Sequence, residues 1–168
     1  MKKVIFSLFI LGLTIQLYAQ EPTITELEEV VLVNNYKYLS GTDASDMPVE
    51  ANQLQIKAAN FDIKTLDIYT DEYDYYDVYF IIPDGKILAT YDSNGVILRT
   101  AEKYKDTDLP KPILISVLKR FPNWNITKDV YLVKYNEGET AKKKYKITLT
   151  NGDKRIKIKL DAEGNFLK

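Results

Sequence analysis

Apolar and polar residues alternate along two stretches of the chain, Val78 to Leu98 and Tyr145 to Leu167. Each stretch reads as an alternating strand, a turn at Asp84-Gly85 or Asn151-Gly152, a second alternating strand, and a short third strand after a glycine. A period of two residues is typical of strands with one buried face. The pattern therefore predicts two units of three or four antiparallel strands.

A helix is predicted before each unit. The first follows Pro48 in VEANQLQIKAANF, and its expected buried residues are Leu54, Ala58 and Phe61. The second lies in DTDLPKPILISVLKRFP, where Asp106 and Asp108 are expected to cap it and Pro122 to end it. Its expected buried residues, at helical spacing, are Leu114, Val117, Leu118 and Phe121.

The order of these elements predicts an α+β fold of two tandem helix-plus-antiparallel-sheet repeats, with the helices packed on one face of the sheets. Repeat 1 covers residues 48–100 and repeat 2 covers residues 101–168. Residues 20–47 are expected to form an N-terminal strand and loop. The β-branched stretch from Val30 to Tyr38 is the expected strand, which would pair with the edge of the first sheet or cover its outer face.

The first 19 residues have the pattern of a signal peptide, with a basic MKK head, an apolar run and a small residue at Ala19. The apolar run is shorter than the roughly 20 residues that span a bilayer. Processing before Gln20 would release a periplasmic or secreted protein with no membrane attachment. The chain has no cysteine, so it forms no disulfide.

The string RFPNWNITKDVYLVKYNEGETAKKKYKITLTNGDKRIKIKLDAEGNF resembles the PepSY-like, beta-lactamase-inhibitor-like periplasmic family. The resembling features are a helix ending in Phe-Pro, an Ile-containing strand, a Tyr-x-Ile-x-Leu strand ending in Asn-Gly, and Asp-x-x-Gly-Asn before the last strand. The resemblance covers residues 48–168. It implies an exported tandem protein, typical of Bacteroidetes-type envelopes, with no shared catalytic residues and no beta-lactamase inhibition to transfer.

Alternation separates a core face from an outer face in both units. Tyr76, Val78 and Phe80 are predicted to be core. An Asp84-Gly85 turn would place Ile82 opposite Ile87, Phe80 opposite Ala89 and Val78 opposite Tyr91. In the second unit the residues predicted to face one another are Tyr145, Ile147 and Leu149 with Leu160, Ile158 and Ile156.

The outer face of the first unit is predicted to be a binding surface, because it is largely apolar where solvent is expected. The predicted binding residues are Tyr73, Tyr75, Asp77, Tyr79, Ile81, Leu88 and Ile97. Cover by the N-terminal strand and self-association as a homodimer are the alternatives. The second unit has a basic ladder in the same place, which is either a further binding surface or solvated surface, formed by Lys144, Lys146, Arg155, Lys157 and Lys159.

Charge divides in the same way along the chain. Residues 20–100 have 15 acids and 5 bases, a net charge of −10, and residues 101–168 have 9 acids and 16 bases, a net charge of +7. Either the two halves lie side by side and partly neutralise each other, or one sheet offers an acidic aromatic zone beside a basic one.

The composition argues against catalysis. The chain has no histidine and no cysteine, which excludes Ser-His and Cys-His nucleophile pairs and a histidine-rich zinc site. No phosphate-binding glycine motif occurs, and no cofactor or metal is predicted. A small carboxylate-based hydrolase using Asp71 and Asp74 is the alternative from another class.

We therefore expect an exported, non-enzymatic binding or inhibitor-like module of the cell envelope. Its expected partner is an envelope protein or an anionic polymer. Nucleic acid is not an expected partner, because the exported chain would have a net charge of −3.

Overall fold

The computed structural model describes residues 35–43, 47–70 and 72–168. These residues belong to one compact unit. The predicted signal peptide, most of the predicted N-terminal strand and Asp71 lie outside them. Within the described ranges, no helix has the length and apolar character needed to cross a membrane.

The described chain folds into three α-helices and six strands. The helices are α1 (Tyr36–Thr42), α2 (Val49–Ala59) and α3 (Lys111–Arg120), and a short 3₁₀ turn spans Ile63–Thr65. The strands are β1 (Tyr75–Ile82), β2 (Gly85–Asp92), β3 (Ile97–Lys105), β4 (Asn125–Asn136), β5 (Lys142–Asn151) and β6 (Lys154–Leu160). They form one sheet in the order of the sequence, each antiparallel to the next. The predicted α+β class, with helices packed against the sheet, is confirmed.

The sheet is continuous across the two predicted repeats. β3 pairs with β4 along its length, for example Glu102 with Val133 and Tyr104 with Tyr131. The predicted boundary between residues 100 and 101 falls inside β3. Pairing β3 with β4 satisfies the backbone groups that each three-stranded half would otherwise expose at that edge.

The predicted register of the first hairpin is wrong, because each β1 residue lies opposite a β2 residue two positions earlier than predicted. The turn is formed by Pro83 and Asp84, so Phe80 lies opposite Ile87 and Tyr76 opposite Tyr91. Proline has the backbone angle that the second position of a tight turn requires. Gly85 is needed in the strand instead, because a Cβ there would lie 2.8 Å from the Tyr104 ring. The predicted faces survive this error, since a two-residue shift keeps every side chain on its side.

The predicted pairs of the second hairpin are confirmed. Tyr145 lies opposite Leu160, and Ile147 opposite Ile158. The turn is formed by Gly152 and Asp153, and Gly152 has a φ of +54°, which favours glycine. The three strands β3, β4 and β5 are then joined by a stack of buried rings: Tyr104 and Tyr131 have centroids 6.0 Å apart, and Tyr131 and Tyr145 4.7 Å.

Helix α2 begins after Pro48 and buries Leu54 and Ala58, as predicted. Helix α3 is rotated from the prediction: Ile113 and Val117 are buried, while Leu118 is 54% exposed. Aliphatic residues surround this helix, so spacing alone did not fix which ones face the sheet. The predicted aspartate caps are also wrong, because the residue before the helix is Pro110 and no side chain caps it.

Residues 36–42 are helical, so the predicted strand from Val30 to Tyr38 is wrong over its described part. Asn35 anchors the start of this helix: its amide donates to the Ala59 and Gly95 carbonyls, and its side-chain oxygen accepts from the Ile97 N–H at 2.7 Å. Tyr38 packs edge-on against Tyr135. The segment therefore covers the same sheet face as α2, not the outer face for which it was predicted.

One carboxylate is buried beneath the helices. Glu102 on β3 accepts hydrogen bonds from the hydroxyls of Tyr38, Thr100 and Tyr104 at 2.7–2.8 Å and from the Gln55 amide at 2.7 Å. Burial raises the pKa of Glu102, and the four donors oppose that rise. Burial and the neighbouring carboxylate raise the pKa of Tyr38 and Tyr104. Because its donors come from α1, α2 and β3, Glu102 joins the helices to the sheet.

Candidate functional site

The sheet face opposite the described helices, called the open face, carries most of the basic side chains of the strands. Register and alternation place two acids there, Asp77 and Asp92. The Asp92 carboxylate is occupied in its own turn, where it accepts from the N–H groups of Asn94 and Val96. Twelve basic residues share the face: Lys86, Arg99, Lys103, Lys105, Lys128, Lys134, Lys142, Lys144, Lys146, Arg155, Lys157 and Lys159.

The β1 corner of the open face is aromatic and apolar. Tyr75, Tyr79 and Ile81 project from it and are 65%, 60% and 72% exposed. Tyr79 lies opposite Leu88, which is half-buried. Tyr73 precedes the strand and is exposed, but it packs edge-on against Tyr76, whose ring lies on the covered face, so it is not placed with the open-face residues. Tyr75, Tyr79, Ile81 and Leu88 are thus the predicted apolar binding residues that are exposed or partly exposed at this corner.

Ile97 does not belong to this surface, and its prediction is wrong. It is 1% exposed and lies opposite Tyr91 on the covered face. The ladder between β2 and β3 shifts between Thr90 and Tyr91, so Leu98 is an extra residue. A β-bulge of this kind reverses the expected alternation, and no pattern in the sequence marks it.

Asp77 forms part of a polar chain across three strands of the open face. Its carboxylate accepts a hydrogen bond from the Thr90 hydroxyl, and Arg99 Nε donates to the Thr90 oxygen at 3.1 Å. Thr90 is buried by these neighbours. Asp77 therefore fixes neighbouring strands as well as facing solvent. Within the described ranges no three carboxylates lie close enough to hold a metal ion.

The five predicted basic residues all lie on the open face, but the sequence missed most of the cluster. The residues it missed include Lys86, Lys103, Lys134 and Lys142, which come from β2 to β5. Alternation within each strand indicated which side chains share a face. Only the pairing of β3 with β4 placed the two halves on one continuous surface.

A depression of about 530 Å³ lies between β2 and β5 on this face. Ala101 and Leu132 are apolar side chains in its lining. The basic lining residues whose side chains share the open face are Lys86, Lys103, Lys134, Lys142, Lys144 and Lys146, whereas the Lys143 ammonium donates to the Asp43 carbonyl. The combination can take an apolar group surrounded by negative charge.

Lysines of the open face lie directly opposite one another on neighbouring strands. The cross-strand pairs are Lys86 with Lys103, Lys134 with Lys142, and Lys146 with Lys159. Like charges in this position destabilise a sheet. Among the described residues Lys37 and Glu137 form an ion pair, at 3.9 Å, and it includes none of these lysines. The two halves are adjacent, but their charged side chains do not neutralise each other on this face.

We expect Lys103→Gln to raise the free energy of unfolding by about 0.2–1 kcal/mol, because it removes the repulsion from Lys86. Urea unfolding at low salt measures this. Lys154→Gln is the matched control, since Lys154 lies on a strand opposite the neutral Asn151. Sodium chloride should raise the thermal midpoint of the unmodified protein more than that of the variant. A destabilised Lys103→Gln protein would contradict the repulsion.

Comparison with known proteins gives distant similarity to solved structures. No protein-family profile matches the chain, and no curated protein matches it. A crystal structure of a BLIP-like protein from Bacteroides fragilis is similar over 59% of this chain and 69% of that chain, with 20% sequence identity and a TM-score of 0.35. An identity this low transfers neither a partner nor an activity.

Proposed function

We propose that this chain is an exported, non-enzymatic binding module of the cell envelope, inhibitor-like in that it acts by occupying a partner. It binds an acidic protein through the open face. The main support for this proposal is the set of lysine pairs that face one another on neighbouring strands without carboxylates between them. A folded protein that keeps such repulsion gives up stability that neutral residues would supply.

The net charge of the chain does not explain why lysines are concentrated on the open face. The mature chain would have a net charge of −3, so the basic face is not a by-product of a basic protein. Segregated charge speeds association with a complementary partner and rejects partners of the same sign. An acidic surface laid on the open face would relieve the lysine repulsion.

The apolar part of the face favours a protein over a charged polymer. Tyr79, Leu88 and Ala101 follow one another across β1, β2 and β3, and Leu132 lines the neighbouring depression. Tyrosine and aliphatic side chains supply binding energy when a partner's side chains desolvate them. A polysaccharide or nucleic-acid backbone would leave these groups without a counterpart.

We expect the double variant Lys103→Glu with Lys144→Glu to weaken binding of a fluorescent peptide of alternating glutamate and leucine by about five- to thirtyfold. The reason is that each reversed charge changes the interaction by about 0.5–1 kcal/mol, even when solvent screens it. Fluorescence anisotropy at two salt concentrations measures the affinity.

The matched control is Lys111→Glu with Lys119→Glu on α3, which changes the net charge equally away from the open face. It should bind the peptide within about twofold of the unmodified protein. Equal losses in both variants would mean that the peptide responds to net charge only, and the proposal would fail. Tighter binding of dextran sulfate than of the peptide would assign the face to a polymer instead.

A further inference from the structure

The two edges of the sheet differ in how they are protected. β6 carries Lys154, Arg155, Lys157 and Lys159, and charged side chains discourage pairing with another chain. The C-terminal residues also occupy part of this edge: Leu160 forms a bridge with Phe166, and the Leu167 N–H donates to the Lys159 carbonyl at 2.8 Å. The β6 edge is therefore blocked in two ways.

Within the described ranges the β1 edge has no hydrogen-bonded segment beside it, and Asp77 is the one charged side chain of the strand. Its eight residues, YYDVYFII, include no lysine, arginine or proline. In the described ranges its sheet neighbour is β2 alone. The hairpin is closed by Ile82 and Gly85, and such a closing pair exchanges both backbone hydrogen bonds. Alternation then directs the backbone groups of Tyr75, Asp77, Tyr79 and Ile81 outward, away from β2.

We propose that the β1 edge pairs, antiparallel, with the β1 edge of a second copy of this chain. The charges at the two ends of the strand favour this occupant. Glu72 and Asp74 precede β1, whereas at its other end Ile81 lies opposite Lys86, and the depression there is lined by Lys86, Lys103 and Lys105 against one acid, Asp84. Antiparallel self-pairing brings each acidic end beside the other copy's basic end, twice by two-fold symmetry.

The side chains of β1 suit the same arrangement. Both faces of the strand are aromatic or aliphatic apart from Asp77, whose carboxylate is already hydrogen-bonded by Thr90. Aromatic and β-branched residues opposite one another stabilise a strand pair. On the open face, the exposed Tyr75, Tyr79 and Ile81 of a second β1 therefore find apolar partners and meet no lysine within the strand.

Self-pairing has a consequence for the proposed binding surface. The six strands of each copy would continue as one sheet of twelve, and alternation places both open faces on the same side. The dimer presents the basic surface twice, so a partner with two acidic sites would bind it more tightly than it binds one copy.

Analytical ultracentrifugation of the purified protein tests the pairing. We expect the unmodified protein to have twice the chain mass at high concentration, and Ile81→Lys to be monomeric with an unchanged fold by circular dichroism. Ile81 is 72% exposed, so lysine there protects the edge without disturbing the core. Ala101→Lys is the control: it adds a lysine to the open face two strands from the edge and should remain dimeric.

Hydrogen exchange locates the contact. The outward amides of Asp77, Tyr79 and Ile81 should gain protection when the protein is concentrated, and Ile81→Lys should abolish that gain. A monomer at every concentration, or a dimer that survives Ile81→Lys, would overturn the proposal. So would protection of these amides in a monomer, because a segment of the same chain would then fill the edge. Peptide binding by the unmodified protein, measured at concentrations where it is monomeric, separates this outcome from the acidic-partner proposal.

Discussion

Glu102→Ala should destabilise the protein by at least about 3 kcal/mol. The substitution removes one carboxylate and leaves four buried donors, from Tyr38, Gln55, Thr100 and Tyr104, without their acceptor. Each buried donor left unsatisfied costs about 1–3 kcal/mol. Urea unfolding followed by circular dichroism measures the loss, and α1 should detach from the sheet first because its Tyr38 hydroxyl bonds to Glu102.

Two further variants make this result specific. Glu50→Ala removes an exposed carboxylate from the first turn of α2 and should change stability by less than about 0.5 kcal/mol. Tyr104→Phe removes a single donor, so a loss of about 1 kcal/mol is expected. If Glu102→Ala costs no more than Tyr104→Phe, the four hydrogen bonds do not act together.

The pH dependence of stability provides a second readout for Glu102. Burial raises its pKa above the ordinary value of 4.5, so the folded state binds this proton more tightly than the unfolded chain does. Its contribution to stability is therefore complete below pH 4.5 and declines as the pH rises through the folded pKa. Glu102→Gln cannot titrate, and its unfolding free energy should lack this decline.

Tyr131→Ala should cost about 3–5 kcal/mol and should unfold both halves of the sheet together. Tyr131 is fully buried and is the middle ring of the stack that joins Tyr104 on β3 to Tyr145 on β5. Truncating a buried aromatic side chain removes its contacts and leaves a cavity. Calorimetry should give a single transition at a lower midpoint, because the stack spans the junction of the two predicted repeats.

Tyr131→Phe keeps all three rings and should cost less than about 1.5 kcal/mol. Two separate transitions in Tyr131→Ala, with one half retaining the original midpoint, would contradict a shared core. The same result would make the two halves independent folding units.

Local pattern was sufficient for the elements and for most faces. The period-two alternation placed Tyr76 and Phe80 in the core and Tyr79 and Ile81 on the outer face, and both assignments hold in the structure. Proline before the first helix gave its start. These features depend on residues two to four positions apart, which the chain's own geometry brings to one side.

Features that depend on residues far apart in the sequence could not be predicted from the local pattern. The first residues of the helix at 36–42 were predicted as strand, because Val30 to Tyr38 is rich in β-forming residues, and its last residues as loop. Contacts of Tyr38 with Glu102 and Tyr135 favour the helix. Ile97 was assigned to the wrong face because a bulge depends on how β2 and β3 pair. Nothing in the sequence distinguishes Glu102 from the other acidic residues, because its donors come from α1, α2 and β3.

The candidate site likewise has features that the local sequence pattern predicted and features that depend on tertiary structure. The sequence by itself determined that Lys144, Lys146, Lys157 and Lys159 share one side of their hairpin and that β1 is aromatic on both faces. Only the tertiary structure decided that β3 pairs with β4, which joins these lysines to Lys86 and Lys103 on one face and leaves β1 as an edge. Side-chain direction repeats along a strand and is local, whereas strand neighbours are chosen by the burial and hydrogen bonding of the whole sheet.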